Sequence, residues 1–262
     1  MNTKLFAFSL ISIFAMFLLL AASPPVANAS NSWSVYHWAR TANPFTLQLG
    51  NNTSGTWTNH FATVSSDWSQ SAVLDTTIVA GGTTPKSCRP TSGRVEVCNA
   101  NYNKTGWLGI AQIWITGGTH ITQGIVKNND YYFGKSTYAY NNEAEKLHVI
   151  CQEVGHMLGL DHQNESGISL NTCMDYYHNT SNTDTRSTRP NQHDYDQLAT
   201  IYAHFDSSST VGTIKAPANS GEFNAPDEWG KLMRTVEHGR SSIYERELGG
   251  GHKLVTYVIW AQ

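Results

Sequence analysis

Charge is scarce in this chain. Asp, Glu, Lys and Arg make up 14% of its 262 residues, and the formal net charge is -3. No basic stripe interrupts that pattern, which argues against a nucleic-acid partner. No G-x-S-x-G occurs, so Ser-His-Asp catalysis has no support. No C-x-x-C pair occurs, which weakens any thiolate metal site. No D-x-D-x-D-G loop occurs either, so Asp161, Asp175, Asp184 and Asp194 read as solvated loop acids rather than a calcium site. No internal repeat is visible.

What is present is apolar enough for one sizeable core, or one domain with an appendage: 40% hydrophobic and 11% aromatic residues. The first segment reads as a leader. Lys4 precedes an almost wholly apolar run from Leu5 to Ala22, Pro24 and Pro25 break it, and "ANA" at Ala27 to Ala29 has the small-x-small form of a cleavage site. An uncleaved anchor is the rival reading. Cleavage after Ala29 leaves 262 - 29 = 233 residues and, with Lys4 gone, a net charge of -3 - 1 = -4. A secreted chain without stable membrane association is the expectation. Export favours disulfides among the four cysteines. Of three pairings, Cys88 with Cys98 closes the short loop "CRPTSGRVEVC", and Cys151 with Cys173 ties a helix to a later turn.

Trp57, Phe61, Val64 and Trp68 fall at helical spacing, so Thr56 to Trp68 reads as an amphipathic helix. Strand-like runs follow at Ser71–Val79, Gly93–Cys98, Trp107–Ile115 and His120–Lys127, the last two joined by a turn at Gly117 and Gly118. A helix from about Glu143 to Leu158 has Asn142 as N-cap, Glu145 in capping-box position and Gly159 as a left-handed stop. A last helix begins after Asn191, with Tyr195, Leu198, Ile201 and Tyr202 as its buried stripe. Residues 206–220 read as a linker, and 221–262 as an extension whose two strand-like runs flank three glycines in a hairpin. N-x-S/T triplets occur at Asn52, Asn103, Asn164 and Asn179.

The chemistry lies in "CQEVGHMLGLDH", Cys151 to His162. Gln152 and His156 stand four apart, one turn from each other on one helix face. Gly159 lets the chain reverse, so His162 can return toward the same point. Glu153 is rotated away from the ligand direction but within reach of a water there. Three protein ligands and one open position make the pattern of a catalytic zinc. His148 is too distant to substitute: two turns before His156, it stands roughly 12 Å along the axis, against zinc–nitrogen bonds of about 2 Å. It reads as a helix histidine bonded to Gln152.

"QEVGHMLGLDH" resembles the metzincin zinc-protease motif H-E-x-x-H-x-x-G-x-x-H at every fixed position except the first, and "CMDYY" places Met174 where metzincins carry a methionine turn. The order of helix and strands over about Trp57 to Phe205 is similar to that of matrixins. The resemblance implies an α+β fold with a mixed twisted sheet, an active-site helix and a C-terminal helix, over a catalytic domain of residues 30–205. It implies a zinc metalloendopeptidase acting on polypeptide substrates. Gln152, His156 and His162 would hold Zn2+, Glu153 would be the general base, and Tyr176 an oxyanion donor like the tyrosine of astacins. Leu108, Gly109, Ile110 and Ala111 would lie on a substrate-facing edge strand. Gln152 is the departure. Its amide oxygen is neutral, as imidazole is, but is a poorer zinc ligand. Two further expectations follow: a non-catalytic binding or adhesion module of the same shape, and a hairpin that fills the cleft and keeps the enzyme latent.

Overall fold

A computed structural model describes residues 31–212, 221–236 and 240–261. The leader expected over residues 1–29, and residues 213–220 of the expected linker, lie outside the described residues. No helix among the described residues is long and apolar enough to cross a membrane.

The chain is a mixed α/β protein built on one large mixed sheet with few helices. Its strands are β1 (His37–Trp38), β2 (Phe45–Asn52), β3 (Leu74–Ala80), β4 (Val95–Ala100), β5 (Trp107–Thr116), β6 (His120–Asn129), β7 (Lys231–Thr235), β8 (Ser241–Gly249) and β9 (His252–Trp260). They run in the order β3-β2-β4-β6-β5-β9-β8-β7, with the two-residue β1 alongside the start of β6. The half from β3 to β6 is parallel, and every pairing from β6 to β7 is antiparallel.

Parallel neighbours need crossovers. Helix α1 (Thr56–Trp68) supplies the one between β2 and β3, with Trp57, Phe61, Val64 and Trp68 buried as its spacing predicts. Gly117 and Gly118, at φ +60° and +79°, take the left-handed conformations that turn β5 into β6. A single turn, α2 (Asp130–Phe133), follows β6. Helix α3 (Glu143–Met157) then packs against α1, β5 and β6. Two tryptophans fix α3: Trp68 Nε1 donates to the Cys151 carbonyl at 3.2 Å, and Trp38 Nε1 to that of Met157 at 2.8 Å. Helix α4 (Gln192–Ile201) starts from Asn191 and Asp194 in a reciprocal capping box. Both expected disulfides, Cys88–Cys98 and Cys151–Cys173, are formed.

Several expectations are corrected. The capping box at α3 is only half made. Asn142 accepts from the Glu145 N–H at 2.9 Å, but the Glu145 carboxylate accepts instead from His178 Nδ1 at 2.5 Å and the Asn179 N–H at 2.6 Å. Residues 206–212 are not free linker: the N–H groups of Asp206, Thr210 and Gly212 donate to the carbonyls of Arg40, Ala39 and Gly93. Asp161, Asp175 and Asp194 are buried, not solvated. Asn52 and Asn179 are buried as well, so a glycan has no room there. His148 donates from Nδ1 to the Ser187 carbonyl at 2.6 Å rather than bonding Gln152.

Candidate metal centre

Helix α3, the reversal behind it and the segment around Met174 bring the expected site residues together. Gly159, at φ +93°, has no room for a Cβ, which would stand 2.5 Å from the Tyr36 carbonyl. The tight reversal carries His162 back, so that its ring meets the His156 ring edge to face at 4.8 Å and the Tyr176 ring at 4.7 Å. Backbone bonds from Gln163 to Met174 and from Tyr176 to Asn164, both 2.7 Å, zip this loop to the methionine segment. Met174 lies directly under α3: a Cβ on Gly155 would fall 2.4 Å from its sulfur. The Cys151–Cys173 disulfide ties the same two elements.

Both histidines are held in one tautomer. His156 Nδ1 is 2.9 Å from the Leu160 carbonyl, which only accepts, so Nδ1 carries the proton and Nε2 the lone pair. His162 Nδ1 faces the carboxylates of Glu165 at 3.4 Å and Asp161 at 3.7 Å, which only accept, so Nδ1 carries a proton there too. Such outer partners are what orient metal-ligating imidazoles. Burial, then the neighbouring His162, pushes His156 down to about 3, so its ring is neutral.

Five polar atoms of the expected site residues are buried without a hydrogen-bond partner: His156 Nε2, His162 Nε2, both Glu153 oxygens and the Tyr176 hydroxyl. Buried polar groups are almost always paired, and these five sit on neighbouring side chains, where one bound ligand would satisfy several of them. Burial alone pushes the Glu153 carboxyl well above the ordinary range, and burial, then Glu153, pushes the Tyr176 phenol up. Gly109 on β5 makes room for the acid: a Cβ there would stand 2.6 Å from Glu153 Oε1.

Gln152 has a task of its own. Its Nε2 donates to the carbonyls of Cys173 at 2.7 Å and Asp175 at 2.8 Å, on either side of Met174. Two carbonyl partners fix which amide atom faces them, and Oε1 is left as the atom with lone pairs to offer a metal.

The expected edge strand is not an edge. β9 pairs antiparallel with β5 over nearly its whole length, with Gly109 opposite Ile259, Ile110 opposite Val258 and Ala111 opposite Tyr257. Leu108, Gly109, Ile110 and Ala111 are therefore interior. The reason is in the tail: "HKLVTYVIW" is apolar and β-branched, and it satisfies the open row of β5 backbone groups. The tail also reaches the site. The Tyr257 ring stacks on His156 at 4.1 Å, and Arg234 on β7 binds Asp161 at 2.5 Å and Glu165 at 3.0 Å. Glu153 and His156 have no exposed surface, and Gln152, His162 and Tyr176 little. Tyr257, Arg234, Asp161 and Glu165 escape sequence reasoning, because nothing in the sequence says which strand the hairpin joins.

No protein-family model matches the chain, and no curated protein or solved structure is significantly similar to it.

Proposed function

We propose that this chain is a secreted zinc metalloendopeptidase in a closed form, with its C-terminal hairpin standing where the substrate strand would lie. The observation that carries the reading is the cluster of five buried, unpaired polar atoms from Glu153, His156, His162 and Tyr176. Their chemistry fits zinc: two imidazole nitrogens with lone pairs, each backed by an oxygen acceptor, and Gln152 Oε1 as third ligand. When bound there, zinc supplies a Lewis acid that acidifies a water and polarises a peptide carbonyl.

The chain's own groups account for the proton movements. Glu153 takes the proton from the attacking water and hands it to the leaving amine, and its dry surroundings raise the proton affinity that the first step needs. Tyr176 keeps its phenolic proton, because burial raises its pKa, and donates a hydrogen bond to the forming oxyanion. Gln152, being neutral, leaves the charge of the ion undiminished. An extended peptide would pair with β5 once β9 has left it, by strand addition. The two disulfides are compatible with secretion.

The test is digestion of unfolded casein by zinc-loaded protein, with and without chelator. Loosening the hairpin through Arg234→Ala with Tyr257→Ala, or removing it by truncation after Gly212, is expected to raise chelator-sensitive cleavage. Glu153→Ala in either background is expected to abolish it. A folded, zinc-loaded truncation that digests nothing would overturn the reading. It would leave the alternative, a non-catalytic binding module with the hairpin as its contact surface. The two bonds from Gln152 Nε2 favour that alternative, since they pin the Met174 segment without help from a metal.

A further inference from the structure

A second group of metal-ligating side chains lies outside the site just described. His37 comes from β1, His204 and Asp206 from the segment after α4, and His120 from the start of β6. Register puts the first and last together, since His37 pairs with His120 across β1 and β6. His37 Nε2 is 3.1 Å from His204 Nε2 and 3.4 Å from Asp206 Oδ1, and His204 Nε2 is 3.8 Å from the same oxygen. His120 Nε2 approaches that oxygen at 3.1 Å.

Those spacings are what a tetrahedral ion requires. With metal–ligand bonds of about 2.0–2.1 Å, the corners of a tetrahedron stand roughly 3.3 Å apart. His37 Nδ1 lies 2.7 Å from the Val35 carbonyl, which only accepts, so Nδ1 is turned away from the cluster and Nε2 faces His204 Nε2 and the Asp206 carboxylate. Arg40 engages Asp206 Oδ2 at 3.0 Å and leaves Oδ1 to the imidazoles.

We propose that His37, His204 and Asp206 form a structural site for zinc or a similar borderline divalent cation, independent of the centre at His156. Imidazole with one carboxylate suits that class of ion. The His204 side chain is 52% exposed, so an ion has a path in. Bound there, it would clip the segment after α4 to β1, closing a loop of 169 residues between His37 and Asp206.

The experiment is metal analysis and zinc titration of the chain purified after export, stripped with chelator and reloaded with zinc chloride. Wild type is expected to hold two equivalents. His204→Ala, chosen because its ring is largely exposed, and Asp206→Asn are each expected to hold one. His204→Ala should weaken the affected site more than ~100-fold, since even groups that only support ligands are worth about 10–100-fold. Both variants should also lose part of the zinc-induced rise in Tm. His156→Ala with His162→Ala should retain one equivalent that still raises Tm. An unchanged stoichiometry and unchanged zinc-induced Tm rise in His204→Ala would overturn the proposal. Loss of an equivalent in His204→Ala but none in the His156/His162 variant would instead sink the proteolytic reading and leave this site standing.

Discussion

Replacing Glu153 by methionine separates a functional acid from a structural one. Glu153 is fully buried, and neither of its oxygens has a partner. Leaving a buried polar group unpaired costs about 1–3 kcal/mol in proteins. Methionine has nearly the same length and fills irregular space without polar atoms, and Gly109 leaves the required room on β5. In metal-stripped protein, Glu153→Met should therefore stabilise the fold by about 1–3 kcal/mol. At about 2–4 °C per kcal/mol for a chain of this size, the rise in Tm is roughly 2–12 °C. Glu153→Gln keeps unpaired polar atoms in the same place and should gain little. The assay is thermal unfolding of the three proteins in chelator, followed by casein digestion after zinc loading and loosening of the hairpin. A metal-free Glu153→Met less stable than wild type would mean that the carboxylate has a structural partner, and the case for a catalytic acid would fail.

Four further outcomes are expected. Gln152→His should tighten zinc binding by tenfold or more, and unchanged affinity in competition with a chelator would remove Gln152 from the ligand set. Gly155→Ala should lower stability by about 1–3 kcal/mol in denaturant titration, because its Cβ would press on Met174 at 2.4 Å and on Trp68 at 2.8 Å. Removing the Cys151–Cys173 disulfide, which spans 22 residues, should cost about 3 kcal/mol from loop entropy, read as a lower denaturation midpoint. Burial pushes the Asp175 carboxyl up to about 7 from 3.8, so between those values the folded chain holds a proton that the unfolded chain has lost. Stability should fall as pH rises through that window, and Asp175→Asn should flatten the decline between pH 5 and 8.

The helices and the site were legible because their signals are local. Trp57, Phe61, Val64 and Trp68 set α1 by spacing, and Asn142 and Gly159 bracket α3. The spacing of Gln152, His156 and His162, with Gly159 between, was enough to bring the two histidines together. What stayed hidden depends on contacts between distant segments. β2 is half polar, and only its pairing with β3 and β4 on either side makes it an interior strand. The hairpin was visible from its three glycines, but its docking on β5 depends on which strand edge is open, a property of the sheet as a whole. The burial of Asp161 follows from Arg234, 73 residues away. Likewise, His37 and His204 carry no mutual spacing that a sequence displays as a motif.

Anomalous diffraction at the zinc edge, from crystals grown with zinc, tests the central claim most directly. A peak about 2.0–2.1 Å from both His156 Nε2 and His162 Nε2, with Gln152 Oε1 or a water completing the set, is the predicted result. Density showing those nitrogens bonded to protein or water, with no peak between them in zinc-saturated crystals, would contradict it.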